Sequence, residues 1–148
     1  MTHSGVPIGV AAIRSGVKVP TIRYYEDIGL LAAPARTHSN RRHYGVDDLR
    51  RLVFIRRARQ LGFGIDAIRA LLTIHDGNPD QSCLPVDAIA RSRLGEVERR
   101  IESLAKLKLE LERMIADCAC GRVSECRIIE ALGTLPSGHP DDTVNREE

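Results

Sequence analysis

The chain has 148 residues, 43% of them apolar, with two Phe, three Tyr and no Trp. It can bury the core of one domain, or of a small domain with an oligomerisation arm, and its aliphatic bulk favours helix-on-helix packing over a thick sandwich. A net charge of +2 hides an asymmetry, with residues 1–70 carrying 12 Arg and Lys against 5 Asp and Glu and residues 71–148 carrying 10 against 15. The basic front half points to a polyanion. No 18-residue apolar run and no signal-peptide order near Met1 is present, so a cytoplasmic chain with no membrane partner is expected.

Taken in chain order, Ile8 to Arg14 predicts a short helix running into the Ser15-Gly16 turn. A second helix begins near Val19 and carries Thr21-Ile22-Arg23-Tyr24-Tyr25-Glu26, the spacing of a helix-turn-helix. Pro20 suits a first turn because no intrahelical N–H is lost there, whereas Lys18 stands where Ser or Thr would cap. Of Tyr24 and Tyr25 one is expected in the core, since adjacent helical residues point about 100° apart. After Gly29-Leu30-Leu31, the polar stretch from Arg36 to Tyr44, with Arg41, Arg42 and His43, reads as a hairpin-like wing. Gly45 to Leu61 predicts a third helix, with Leu49, Leu52 and Val53 toward a core and Arg50, Arg51, Arg56, Arg57 and Arg59 projecting elsewhere, and Gly62 just past its end. Ile65, Ile68, Leu71 and Leu72 mark a fourth helix, stopped by Gly77-Asn78-Pro79. Residues 8–76 therefore form one winged helix-turn-helix unit and 77–86 a connector.

From Asp87 to Cys118 the pattern becomes heptad-like. Leu94, Ile101, Lys108 and Ile115 fall on one set of positions and Ala90, Val97, Leu104, Leu111 and Cys118 on the other, the seam of a two-stranded coiled coil. Cys118-Ala119-Cys120 and Cys126 crowd a loop that leads into an apolar helix ending near Leu132, and Cys83 stands alone before the long helix. In a reducing compartment such cysteines are ligands or redox centres rather than a disulfide frame. Residues 133–148, with Pro136, Pro140 and several acids, are expected to form a mobile tail. His75 is expected to pack or cap, and His139 lies in the tail.

Three motifs, Thr21 to Glu26, the Arg36 to Tyr44 wing, and Arg57-Ala58-Arg59-Gln60-Leu61-Gly62-Phe63, precede a coiled coil with terminal cysteines. In this order they resemble the heavy-metal branch of the MerR family of metal-responsive transcriptional regulators, over roughly residues 8–132. The resemblance implies a mainly α protein: a winged helix-turn-helix DNA-binding domain, a homodimer through an antiparallel coiled-coil helix, and a C-terminal metal-binding loop. It also implies control of promoter DNA by distortion, so that RNA polymerase can engage. Carried over to this chain, Thr21, Arg23 and Tyr24 lie on the recognition helix, and Arg36, Arg42 and Tyr44 lie in the wing and contact the DNA backbone. Arg41 replaces an aromatic of the family and is expected to add a phosphate contact. The chemistry agrees, because Arg grips phosphate in a fork while a helix in the major groove reads base edges.

A helix from Asp87 to Cys118 rises about 46 Å at 1.5 Å per residue, so Cys83 and Cys118 of one chain cannot share an ion. A parallel dimer keeps them equally far apart, whereas an antiparallel one brings Cys83 of one subunit to the Cys118–Cys126 loop of the other. Thiolates prefer Hg, Cd, Pb, Zn or Cu(I). Three sulfurs from Cys83, Cys118 and Cys126 suit Hg or Pb, and a fourth from Cys120 suits Zn or Cd. The seven residues between Cys118 and Cys126 match the copper-responsive branch, whereas a cysteine at position 83 resembles the divalent-metal branch. An iron–sulfur redox sensor of this family needs four cysteines in the loop, and Ile115 occupies the place of the first. A thiol enzyme lacks a paired His. The expectation is a non-enzymatic activator of a metal-resistance or efflux promoter that responds to a soft divalent ion, with Cu(I) response or iron–sulfur sensing as the alternatives.

Overall fold

A computed structural model describes residues 5–39, 41–118 and 121–135. Cys120 and the stretch from residue 136, including His139 and most of the expected tail, lie outside the described residues. The chain divides into two units, residues 1–95 and 96–148.

The first unit is a winged helix-turn-helix. It runs β1 (Val6–Pro7), α1 (Ile8–Ser15), α2 (Val19–Asp27), β2 (Ala35–Arg36), β3 (Arg42–Tyr44), α3 (Val46–Gln60), α4 (Ile65–His75) and the start of α5 (Leu84–Asp117). The turn after α1 is made by Gly16 at φ 73°, a left-handed conformation that glycine adopts without steric cost, and its N–H bonds the Ala12 carbonyl at 2.9 Å. No side chain caps α2 at Lys18, and Pro20 stands in its first turn, as the sequence leads one to expect. α3 starts at Gly45, whose N–H donates to Asp48 Oδ2 at 2.9 Å, the reach-back half of a capping box.

The wing is a three-stranded antiparallel sheet of order β1-β3-β2, with Val6 opposite Tyr44, Pro7 opposite His43, Ala35 opposite His43 and Arg36 opposite Arg42. Strand β1 has no counterpart in the sequence reading, since two residues carry no period and their partner is far along the chain. Ala11, Ile22, Tyr25, Leu30, Leu31, Tyr44, Leu52, Ile55, Ala58, Ile68 and Leu72 form one core under α1 to α4 and the wing. Each buried Leu or Ile stabilises it by about 1.5–3 kcal/mol. On α3 the buried positions are Leu52, Ile55 and Ala58, while Leu49 packs beside them and Val53 is half-buried. His75 is exposed but stacks on Phe54 with ring centroids 5.6 Å apart.

α5 starts at Leu84, three residues ahead of the expected Asp87. Ser82 Oγ accepts the Leu84 N–H at 3.2 Å, and Pro85 sits in the first turn, where it removes no helical bond. Arg93 Nε donates to the Leu61 carbonyl at 2.9 Å and its guanidinium lies over Gly62, which holds φ 83°. A Cβ at Gly62 would collide with that guanidinium.

The second unit comprises the rest of α5, a 3-10 turn (Val123–Glu125) and α6 (Arg127–Gly133). No residue of α5 is buried, and Leu94, Ile101, Leu104, Leu107, Leu111 and Ile115 are each more than half exposed. Among the described residues no helix is long and apolar enough to cross a membrane.

Candidate functional site

The helix-turn-helix sorts its side chains by helical period. Ile22 and Tyr25 point into the core, which leaves Arg23 exposed, Tyr24 51% exposed and Thr21 half-buried on the outer side of α2. The Tyr24 and Tyr25 rings stand 5.9 Å apart, one outside and one inside, as adjacent helical positions require. α2 therefore turns Arg23 and Tyr24 away from the core, with Thr21 on its flank.

On the wing, Arg36 and Arg41 are exposed. The turn between their strands is closed by the Thr37 N–H on the Arg41 carbonyl at 2.8 Å and by the Arg41 N–H on Thr37 Oγ1 at 3.2 Å. Arg42 is half-buried and pairs with Glu26 at 2.8 Å. Tyr44 departs from the expectation of a surface contact. It is 1% exposed, with its hydroxyl donating to Glu26. Burial pushes its pKa up to about 12, helped by the hydrogen bond to Glu26 and by that carboxylate's charge. A tyrosine in this position holds the wing to α2 rather than reaching a phosphate. Glu26, which the sequence reading passed over, is thus the shared acceptor of both wing residues.

At the other end, Cys118 follows the last residue of α5, and its N–H bonds the Ile115 carbonyl at 3.2 Å. The 3-10 turn brings Cys126 back to it, with the two Sγ atoms 3.9 Å apart. Cys126 is the residue before α6, and the backbone N–H groups of Ile129 and then Ile128 lower its pKa by stabilising the thiolate. The structure therefore joins two of the four candidate ligands through the folding of the loop itself. Among the described residues no group of three His, Cys, Asp or Glu side chains is assembled for a metal ion. Cys83 is exposed and belongs to the first unit, its carbonyl accepting the Asp87 N–H at the start of α5.

The chain is similar to known proteins in both sequence and structure. A model described as "MerR HTH family regulatory protein" matches residues 6–73, and one described as "MerR, DNA binding" matches residues 49–114. The HTH-type transcriptional regulator ZntR of Escherichia coli strain K12 is 40% identical over 134 residues, which span 88% of this chain and 94% of that protein. The transcription regulator PbrR691 from Ralstonia metallidurans CH34, solved in complex with lead(II), has a TM-score of 0.75 and 35% identity over 86% of this chain and 98% of its own. The dual function transcriptional regulator MerR of Bacillus megaterium MB1, solved in complex with mercury(II), has a TM-score of 0.64 and 30% identity over 82% of this chain and 94% of its own.

Proposed function

Because the chain belongs to the MerR family of helix-turn-helix regulators and is a metal-responsive transcriptional regulator within it, we propose that it activates a metal-resistance or efflux promoter by distorting the promoter DNA when a soft divalent ion, Hg, Cd, Pb or Zn, is bound. The observation that carries this reading is the Cys118–Cys126 pair, 3.9 Å between sulfurs with one thiol poised to ionise. Sulfurs 2.3 Å from a tetrahedral zinc stand roughly 3.8 Å from one another, so the pair already has the spacing of two thiolate ligands. The lead(II) and mercury(II) complexes of its relatives support a thiophilic ion.

Two ligands do not complete such a site. α5 is 34 residues long, which at 1.5 Å per residue is roughly 51 Å between Cys83 before it and Cys118 after it. The third ligand is therefore Cys83 of a second copy, paired antiparallel along the exposed apolar seam of α5, with Cys120 as the fourth for Zn or Cd. In the DNA complex Thr21, Arg23 and Tyr24 read the major groove, and Arg36, Arg41 and Arg42 hold phosphates. Metal must favour the DNA-distorting conformer, since equal affinity for two states shifts no population. The distortion realigns the promoter for RNA polymerase.

A second reading, Cu(I) response, is favoured by the seven-residue spacing of Cys118 and Cys126 and needs only those two sulfurs. Footprinting and in vitro transcription with RNA polymerase, across Hg, Cd, Pb, Zn and Cu(I), test both. The expected result is a footprint that persists with and without metal and transcription that rises only with the cognate divalent ion. Loss of the footprint on adding metal would make the protein a simple derepressor, and a response to Cu(I) alone that survives Cys83→Ser would favour the second reading.

A further inference from the structure

Between Ala90 and Ile115 the apolar seam of α5 is interrupted once. Leu94, Ile101 and Ile115 share heptad position a with Lys108, while Ala90, Val97, Leu104 and Leu111 hold position d. Lys108 is exposed, and its Nζ stands 3.6 Å from Glu112 Oε1 one turn further along, an exposed pair that contributes little. A charge in a seam weakens it, and its best-attested use is to set register and partner.

The spacing of the seam restricts how a second copy can lie on it. In an antiparallel pair each a residue faces a d residue. The register in which Ile101 faces Leu104 therefore also sets Leu94 against Leu111, Ile115 against Ala90 and Lys108 against Val97. Continued past the ends of the helix, it brings Cys83 opposite Arg122, midway in sequence between Cys118 and Cys126. Position e comes four residues after a, about 40° round the helix at roughly 3.6 residues per turn, so it borders the seam on the edge where the a residues lie. Glu98 holds position e directly after Val97, is exposed, and among the described residues makes no ion pair within its chain. In this register it stands beside Lys108 of the second copy. A slip of one heptad puts Arg91 there in one direction and Ala105 in the other, and a parallel pair sets Lys108 against Lys108.

We propose that Lys108 and Glu98 of the second copy form the charge pair that selects partner, orientation and register when two α5 helices associate. The inference rests on the antiparallel pairing proposed above and supplies what the apolar positions leave open, since Leu, Ile, Val and Ala pack acceptably in any of these registers. Symmetry gives two such pairs per dimer. The Lys108 stem covers Val97 while its ammonium reaches the rim, where the Glu98 carboxylate meets it. A chain that brings a basic residue to position 98 meets Lys108 with a like charge and is rejected.

The test mixes Lys108→Glu with Glu98→Lys, both as the full chain and one of them isotope-labelled. The two are unfolded together in urea with reductant and chelator, refolded, and read by native mass spectrometry. Each homodimer sets like charges together at both pairs, whereas the heterodimer sets opposite charges together at both. Heterodimer should make up about nine-tenths or more of the dimers, where random assortment gives half, and each variant alone should dissociate at least about tenfold more readily than wild type in sedimentation equilibrium. The preference should shrink in molar salt. Lys106→Glu mixed with Glu102→Lys, which reverses an exposed pair off the seam held at 3.6 Å, should assort at random. Circular dichroism of the refolded mixtures reports whether the chains are helical. Random assortment of folded Lys108→Glu and Glu98→Lys overturns the charge pair and leaves the dimer standing. A surplus of heterodimer between Lys108→Glu and wild type would mean that the two 108 positions face each other in a parallel pair, and overturns it as well. Wild type that stays monomeric at every concentration overturns the pairing of two copies and this inference with it.

Discussion

Glu26 accepts a hydrogen bond from the Tyr44 hydroxyl while its other oxygen pairs with Arg42 at 2.8 Å, and its side chain is only 7% exposed. α2 and the wing strand β3 are thereby locked by a nearly buried carboxylate. Tyr44→Phe should cost about 1.5–3 kcal/mol in urea unfolding, the range for a hydrogen bond to a charged group. The Tyr44 pKa is raised from 10.0 to about 12 by burial first and Glu26 second. A raised folded pKa stabilises below the unfolded value and is lost as pH climbs through the folded one. Wild-type stability should therefore fall relative to Tyr44→Phe between about pH 10 and pH 12, and parallel curves for the two proteins would refute the coupling.

Arg42 and Arg23 should separate by readout. Arg42→Ala lowers DNA affinity by a similar factor on matched and scrambled duplexes, because a phosphate is the same everywhere. Arg23→Ala also flattens the difference between them, by about 1–3 kcal/mol for the missing bidentate base pairing. Competition binding against scrambled duplex decides it. A change of preference without loss of affinity in Arg42→Ala would remove the wing assignment.

A metal site shared between two copies as proposed predicts complementation. Cys83→Ser and Cys118→Ser homodimers should each fail to bind metal, whereas their heterodimer regains one complete site because intact Cys83 meets intact Cys118. Purified heterodimer should take up metal at about half the wild-type stoichiometry, a fraction that follows from one intact site of two in the antiparallel pairing. No uptake at all would place each site within a single chain.

Cys126 has its thiol held below the ordinary value of 9.0 by the N–H groups of Ile129 and Ile128. A depressed folded pKa keeps the thiolate populated to lower pH, so the pH profile of iodoacetamide alkylation at Cys126 in the metal-free protein should lie below that of the same residue in urea. Mass spectrometry of the tryptic peptide reads this directly. Coincident profiles would mean that α6 does nothing for the thiol.

Gly62 combines φ 83° with the overlying Arg93 guanidinium. Gly62→Ala should destabilise by at least about 1–2 kcal/mol from the left-handed backbone alone. The collision adds to this only while Arg93 is present, so Gly62→Ala and Arg93→Ala should not be additive in a denaturation cycle. Additive costs would show that Arg93 swings aside freely.

The helices of the first unit are legible in the sequence because each carries its own punctuation: Gly16, Pro20, Gly62 and Gly77 mark ends that need no knowledge of the rest of the chain. Strand β1 and the Glu26 pairings are not, since Val6 meets Tyr44 and Glu26 meets Arg42 only after the chain has folded back. The early start of α5 is hidden by Pro85, which reads as a breaker unless the Ser82 hydroxyl is seen capping the turn. Tyr44 reads as a surface residue because a wing suggests contacts, yet it is opposite Val6 and its face of the sheet is the core face. Of the thiols, the loop geometry of Cys118 and Cys126 follows from their spacing, while the influence of α6 on Cys126 needs the observed cap position.

α5 leaves most of its apolar seam exposed and has no fully buried residue. Paired as proposed, that half of the molecule folds by a second-order reaction, and its midpoint in denaturant must rise with protein concentration while that of the first unit stays fixed. The regulator's own abundance then sets how much of it is competent, so a cell making too little holds lone chains whose thiol pairs lack the sulfur that Cys83 of a second copy would bring. The threshold for switching on the promoter is in that case a property of protein level as well as of metal level.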